Sequence, residues 1–217
     1  MNTLTKYTGV FITFEGIDLT GKSTQIELLK NYFVKKKKKV KVVREPGGTY
    51  ISEKIRDILL DKSNTGMFPL TEFFLFSASR YQLTEEVIKP LLKKNYFVLC
   101  DRYYDSSTAY QGYGGMIDLK IINKINRIAS GLLKPDITFL IDLSLEATEK
   151  RRLLAGKMHD RMEAKEKSYF KKVRSGYLTL SRLDKKRFFV LDGEKSVDIL
   201  HSEIVNIINK KLNEKNK

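Results

Sequence analysis

The stretch Phe14-Glu15-Gly16-Ile17-Asp18-Leu19-Thr20-Gly21-Lys22-Ser23-Thr24 leaves this chain little freedom in how it folds. It follows a short β-branched and aromatic run, Val10 to Phe14, and precedes apolar residues three and four apart, Ile26, Leu29 and Phe33. It therefore holds G-x-x-x-x-G-K-[ST] in the strand–loop–helix setting that gives the motif physical meaning. Gly16 and Gly21 let successive N–H groups turn inward, and the following helix points its positive end at the same spot, which makes an anion cradle. Lys22 is expected to reach the β- and γ-phosphates of ATP, and the Ser23 hydroxyl to coordinate a Mg²⁺ ion bridging them. The bland alternative is a glycine turn that matches by chance.

Around this loop, apolar strand-like runs alternate with amphipathic helical segments from end to end, the pattern of an α/β fold around a parallel sheet. The expected strands are Val10 to Phe14, Val40 to Val43, Tyr96 to Cys100, Ile137 to Ile141 and Arg187 to Leu191. The last helix is expected to bury Val197, Leu200, Ile204 and Ile207. Pro69 and Pro90 bracket a segment containing Phe73, Phe74, Phe76 and Tyr81, read as a helix richer in aromatics than packing demands. Gly112, Gly114 and Gly115 predict a loop, and Ala155 to Asp160 a hinged lid. Asp101 closes the third strand, where parallel sheets deliver active-site groups, and is read as holding Mg²⁺ through water, with a helix N-cap as the alternative. Arg102, next in the chain, is read as a phosphate clamp in the same crevice rather than a surface charge.

Composition removes other classes. One cysteine, Cys100, and two histidines offer neither an internal disulfide nor a zinc cluster, so any metal is expected to be oxygen-bound. No apolar stretch approaches the ~20 residues of a membrane-spanning helix, and a soluble, cytoplasmic protein of one domain, residues 1–217, is expected. The net charge of +15 suits a nucleic-acid binder or a protein whose ligands are polyphosphates. Its run Lys35 to Lys39 has no interleaved aromatics and reads as a solvated helix end, so no nucleic-acid partner is expected.

Taken together, the phosphate loop, Arg44-Glu45-Pro46-Gly47-Gly48-Thr49, Asp101-Arg102-Tyr103, the run Asp105-Ser106-Ser107 to Gln111, Asp160-Arg161-Met162-Glu163 and Val173-Arg174-Ser175-Gly176-Tyr177-Leu178 resemble bacterial thymidylate kinases. The resemblance covers nearly the whole chain. It implies a three-layer P-loop NTPase fold, a five-stranded parallel sheet flanked by helices with a short lid near residues 154–163, and direct in-line phosphorylation of dTMP by ATP with Mg²⁺. It also implies that Phe76 stacks on thymine and that Arg80 donates to thymine O4. Ser107 and Gln111 match polar base contacts, Tyr110 a tyrosine that crowds the sugar 2′ position, and Ser106, Asp160 and Glu163 fall in the matching acceptor motifs. Arg44 and Arg102 match arginines that grip the acceptor phosphate, with Arg44 turned inward by a cis peptide before Pro46. Asp18 matches a carboxylate that binds the 3′-hydroxyl and helps place acceptor and metal. A homodimer is implied, its contacts including the helix after Asp101-Arg102-Tyr103.

Two positions depart from the family pattern. Leu19 replaces the arginine or glycine usual in the phosphate loop, and Ala155 replaces the arginine common before the lid glycine. Lys157, Arg152 or Arg161 must then supply the lid charge, with Lys157 expected to be catalytic and Arg151 expected near the adenine. Ser79 stands where many bacterial members have aspartate. Three rivals remain: a related kinase with another acceptor, a nucleotide-hydrolysing switch with no acceptor dependence, and a basic nucleic-acid-binding protein.

Overall fold

Each expected strand is present within a residue or so of its expected bounds: the three central runs are apolar enough to be buried on both faces of the sheet, and the two edge runs, Val40 to Arg44 and Phe188 to Asp192, are only partly covered. The computed structural model describes residues 7–156, 161–162 and 165–215. Its strands are β1 (Val10–Glu15), β2 (Val40–Arg44), β3 (Phe97–Asp101), β4 (Ile137–Asp142) and β5 (Phe188–Asp192). They form one five-stranded parallel sheet in the order β2-β3-β1-β4-β5. Because β1 is central and β3 lies beside it, Phe14 is in register with Asp101, so the phosphate loop and the end of β3 open into one crevice.

Helices α1 (Lys22–Lys35) and α9 (Val197–Lys215) cover one face, burying Ile26, Leu29, Phe33, Leu200, Ile204 and Ile208 against β1 and β4. The α9 face thus runs at four-residue intervals through Ile208, with Ile207 only partly buried and Val197 exposed, a shift from the expected stripe. Phe33 stacks on Phe97 at 4.2 Å between ring centroids; burying a side chain of this size contributes ~1.5–3 kcal/mol. The run Lys35 to Lys39 is the solvent-facing end of α1 and the turn into β2.

Helices α2 (Tyr50–Leu60), α3 (Pro69–Leu83), α4 (Lys89–Lys93), α5 (Tyr104–Ser107), α6 (Leu119–Ala129), α7 (Leu145–Ala155) and α8 (Lys167–Leu183) complete the described helices. Between α3 and α4 the chain makes a π turn, Thr84–Ile88, so the helix runs on past Pro90 rather than stopping there. A second π turn, Thr108–Gly114, continues α5 where the glycines predict a loop. Its glycines meet neighbours closely: a β-carbon at Gly114 would lie 2.7 Å from Tyr169 and Val173 of α8. A buried bidentate pair, Arg187 with Asp105 at 2.5 and 3.0 Å, ties the start of β5 to α5.

Candidate active site

The loop after β1 takes the shape its glycines permit. Gly16 has φ 136° and lies so close to β4 that a β-carbon there would meet the Ile141 carbonyl oxygen at 2.5 Å. Gly21 has φ 97°. Leu19 also has a left-handed backbone, φ 62°, a conformation that glycine adopts without cost. The Lys22 ammonium folds over the loop and donates to the carbonyls of Gly16 (3.1 Å) and Ile17 (2.8 Å). Burial, then the nearby Arg102 charge, lowers its pKa to about 8. The Ser23 hydroxyl donates to Asp101 Oδ2 at 3.1 Å, while Asp101 Oδ1 is buried with no partner among the described residues. A hydroxyl beside a carboxylate with an unsatisfied oxygen fits an oxygen-seeking Mg²⁺ reached through water. Asp101 is not a helix cap, since α5 starts after Tyr103.

Arg102 links this loop to a second cleft. Its backbone is left-handed, φ 68°, and its N–H donates to the Phe14 carbonyl at 2.9 Å. That bend turns the guanidinium back over the loop, where it donates to Gly16 O (2.8 Å) and Asp18 Oδ1 (2.6 Å) and lies over the Tyr110 ring. Burial alone would raise the Asp18 pKa, but Arg102 and Lys22 outweigh it and hold it at about 2. Beneath Arg102, Glu15 is fully buried and accepts from the Tyr103 N–H (2.8 Å), Ser106 Oγ (2.6 Å) and Tyr177 OH (3.0 Å). Burial and the Asp105 charge raise the Glu15 pKa to about 8.

The second cleft brings Asp18, Phe76, Arg102, Ser106, Ser107, Tyr110 and Gln111 together, and Arg80 forms part of its floor. Arg80 is fully buried; it pairs with Glu45 and donates to Ser107 (2.7 Å) and Asn126 (2.6 Å), leaving its Nε–H without a partner among the described residues. Arg44 is not brought to the cleft. The Glu45–Pro46 peptide is cis as expected, yet the two-residue strand period buries Val43 and Glu45 and turns Arg44 outward onto Glu53 at 2.7 Å. The cleft is lined instead by Arg56 of α2, which donates to the Pro46 carbonyl at 2.9 Å. Phe73 is core, Phe74 is exposed, and Ser79 supports the turn after Pro46 through the Gly47 N–H.

On the other side of the loop, Arg151 donates to Leu19 O (3.1 Å) and Gly193 O (2.7 Å), joining the phosphate loop to the β5–α9 turn. Arg152 lines a neighbouring cavity with Ile17 and Asp18. Arg161 lies elsewhere, donating to Leu59 O (2.7 Å) and pairing with Glu72 (2.8 Å), which removes it from the phosphate loop. α7 ends at Ala155 with Gly156 as its left-handed cap, and the expected roles for Lys157, Asp160 and Glu163 fall outside the described residues.

A family model described as thymidylate kinase matches residues 14–204. The chain belongs to the thymidylate kinase family. A thymidylate kinase of Thermosipho africanus (strain TCF52B) is 48% identical over 203 residues, spanning 94% of this chain and 99% of the relative. One from Geotalea daltonii (strain DSM 22248 / JCM 15807 / FRC-32) is 46% identical, spanning 88% and 92%. The crystal structure of thymidylate kinase from Ehrlichia chaffeensis superposes with a TM-score of 0.76 at 32% identity, spanning 92% of this chain and 98% of that one. The chain is therefore an enzyme of the nucleoside monophosphate kinase class, and the basic-protein and switch rivals fall away. No helix among the described residues is long and apolar enough to cross a membrane.

Among the site residues to which the sequence alone assigns no role are Glu15, Glu45, Arg56, Glu72 and Tyr177. Glu15 and Tyr177 lie inside motifs quoted for the resemblance, and Arg56 has no local signal beyond being a charge on an amphipathic helix.

Because the folded Glu15 binds its proton more tightly than the unfolded one, stability is lost as pH rises from about 4.5 to about 8. Glu15→Gln removes this term. The difference in thermal midpoint, variant minus wild type, is therefore expected to move in the variant's favour between pH 5 and 8; a difference independent of pH would contradict a protonated Glu15.

Proposed function

We propose that this thymidylate kinase relative phosphorylates dTMP to dTDP with ATP and magnesium by direct in-line transfer, as a cytoplasmic enzyme of dTTP synthesis. The observation that carries the reading is Arg102, whose one guanidinium lies against both the phosphate loop and the acceptor cleft. A dTMP phosphate held by Arg102 and Arg56 would face the γ-phosphate held over Gly16 to Thr24, with no covalent intermediate needed. Phe76 offers a face for the thymine ring, and the unpartnered Arg80 Nε–H a donor for its O4. Tyr110, on Arg102 and Asp18, stands at the sugar, where Asp18 meets the 3′-hydroxyl. Ser23 and, through water, Asp101 would hold Mg²⁺, which would supply charge neutralisation for the phosphates of ATP. No general base is required, since a nucleotide phosphate is already largely ionised at neutral pH.

The lid charge falls to Arg152 among the described candidates on position alone: it lines a cavity with Ile17 and Asp18 while pairing with Glu149 at 3.0 Å, whereas Arg161 lies away from the phosphate loop, against Leu59 and Glu72. Mixing the protein with Mg-ATP and, separately, dTMP, dUMP, dCMP, thymidine or no acceptor is expected to release ADP strongly only with dTMP, and Arg152→Ala to lower kcat by about 10²-fold. ADP release that ignores the acceptor would overturn the reading.

We also propose a twofold homodimer. Ile51 and Ile58 of α2, Phe74 and Tyr81 of α3, and Ile121 and Ile128 of α6 are exposed apolar pairs, each spaced two helical turns apart. α3 packs between α2 and α6, so these pairs lie on neighbouring helices. The helix after Asp101-Arg102-Tyr103 does not present such a face, since α5 and its π turn are buried in their own chain. In sedimentation equilibrium the protein is expected at twice its 25.2 kDa mass and Phe74→Glu at close to that mass; a monomeric wild type would contradict the proposal.

A further inference from the structure

We infer that Glu72 is a positioning residue for base selection, holding the Gln111 amide so that its oxygen, not its nitrogen, is offered to the acceptor cleft. This rests on the dTMP reading above. Glu72 stands in the first turn of α3 and is 3% exposed. Three groups from the second half of the chain converge on its carboxylate: Gln111 Nε2 at 2.9 Å, Arg161 Nη2 at 2.8 Å and Lys165 Nζ at 3.4 Å. Without partners such a buried carboxylate would be costly, and the two cations offset that cost.

A carboxylate can only accept hydrogen bonds, so the end of the Gln111 side chain that meets it must be the NH₂. The amide oxygen is then the end left for the cleft, which Gln111 lines beside Phe76, Arg80 and Ser107. Thymine carries an N–H at ring position 3, whereas cytosine carries a lone pair there and an amino group in place of the O4 carbonyl. An oxygen presented by Gln111 suits the first base and faces the second acceptor to acceptor. The Arg80 guanidinium, fixed by Glu45 and Asn126, is a donor and suits the O4 carbonyl in the same sense. Both recognition groups are thus held in one polarity from behind by buried carboxylates. Without Glu72, rotation of the amide by half a turn would offer N–H to the cytosine lone pair and weaken the discrimination.

The test measures kcat/KM for dTMP and dCMP with Mg-ATP in the full-length protein. Glu72→Met is expected to lower the dTMP:dCMP ratio about tenfold or more, through KM for dTMP and improved use of dCMP. Equal loss on both nucleotides would mean that Glu72 only supports the fold, and would overturn the inference. Gln111→Glu supplies a second route that does not depend on the Met variant folding. It sets two carboxylates together and is expected to cost about tenfold or more on dTMP, and adding Glu72→Gln, which returns a donor–acceptor pair in reverse, is expected to recover most of that loss. A double variant whose loss is the product of the two single losses would overturn the inference. Absence of dTMP-dependent transfer in the wild type would overturn the functional reading itself, and is seen before any variant is compared.

Discussion

One ion pair, Arg102 with Asp18, organises the rest of the site. Arg102 lies just beyond β3 and Asp18 in the loop after β1, so the pair joins the ends of two neighbouring strands across the crevice that a parallel sheet opens there. Reaching it requires a left-handed backbone at Arg102, which costs ~1–2 kcal/mol for a residue with a β-carbon. Charge-assisted hydrogen bonds of ~1.5–3 kcal/mol offset this, together with the bond from the Arg102 N–H to Phe14. The depressed pKa of Asp18, about 2, is the same coupling expressed in protons. Because the guanidinium is anchored on the phosphate loop itself, the loop and the second cleft are referred to one rigid point.

Behind the groups that would meet substrate lies a set of buried carboxylates, each holding another side chain in place. Glu15 fixes the turn through Tyr103 and Ser106, Glu45 pairs with Arg80, and Glu72 gathers Gln111, Arg161 and Lys165. Burying carboxyl groups in this way does little for stability, since a well-packed apolar substitute would do as well. Its return is orientation: donors and acceptors held ready before a nucleotide arrives, with little reorganisation left to perform.

The strands, the phosphate loop, Asp101 and Arg102 were legible in the sequence because each follows from local pattern: apolar runs, glycines at a fixed spacing, and polar residues at a strand end. Arg44 was misplaced by relying on motif order alone, whereas strand alternation through Val43 and Glu45 already implies that it faces away. The π turn at Thr108–Gly114 hid behind its glycines, which serve close approach to Leu119, Tyr169 and Val173 rather than a loop. Arg56 and Glu72 could not be found this way. Each enters the site through tertiary packing, α2 on α3 or α3 on the π turn, and a charged residue on an amphipathic helix has no local mark to separate it from a solvated one.

Calorimetric binding of dTMP and thymidine to wild type and Arg102→Lys, without ATP, tests most directly whether Arg102 is the shared anchor. A lysine keeps the charge but loses the planar fork that grips a phosphate in two places. The account predicts dTMP affinity lower by about ten- to a hundredfold, with thymidine affinity changed little. Equal dTMP affinity in the two proteins would contradict it.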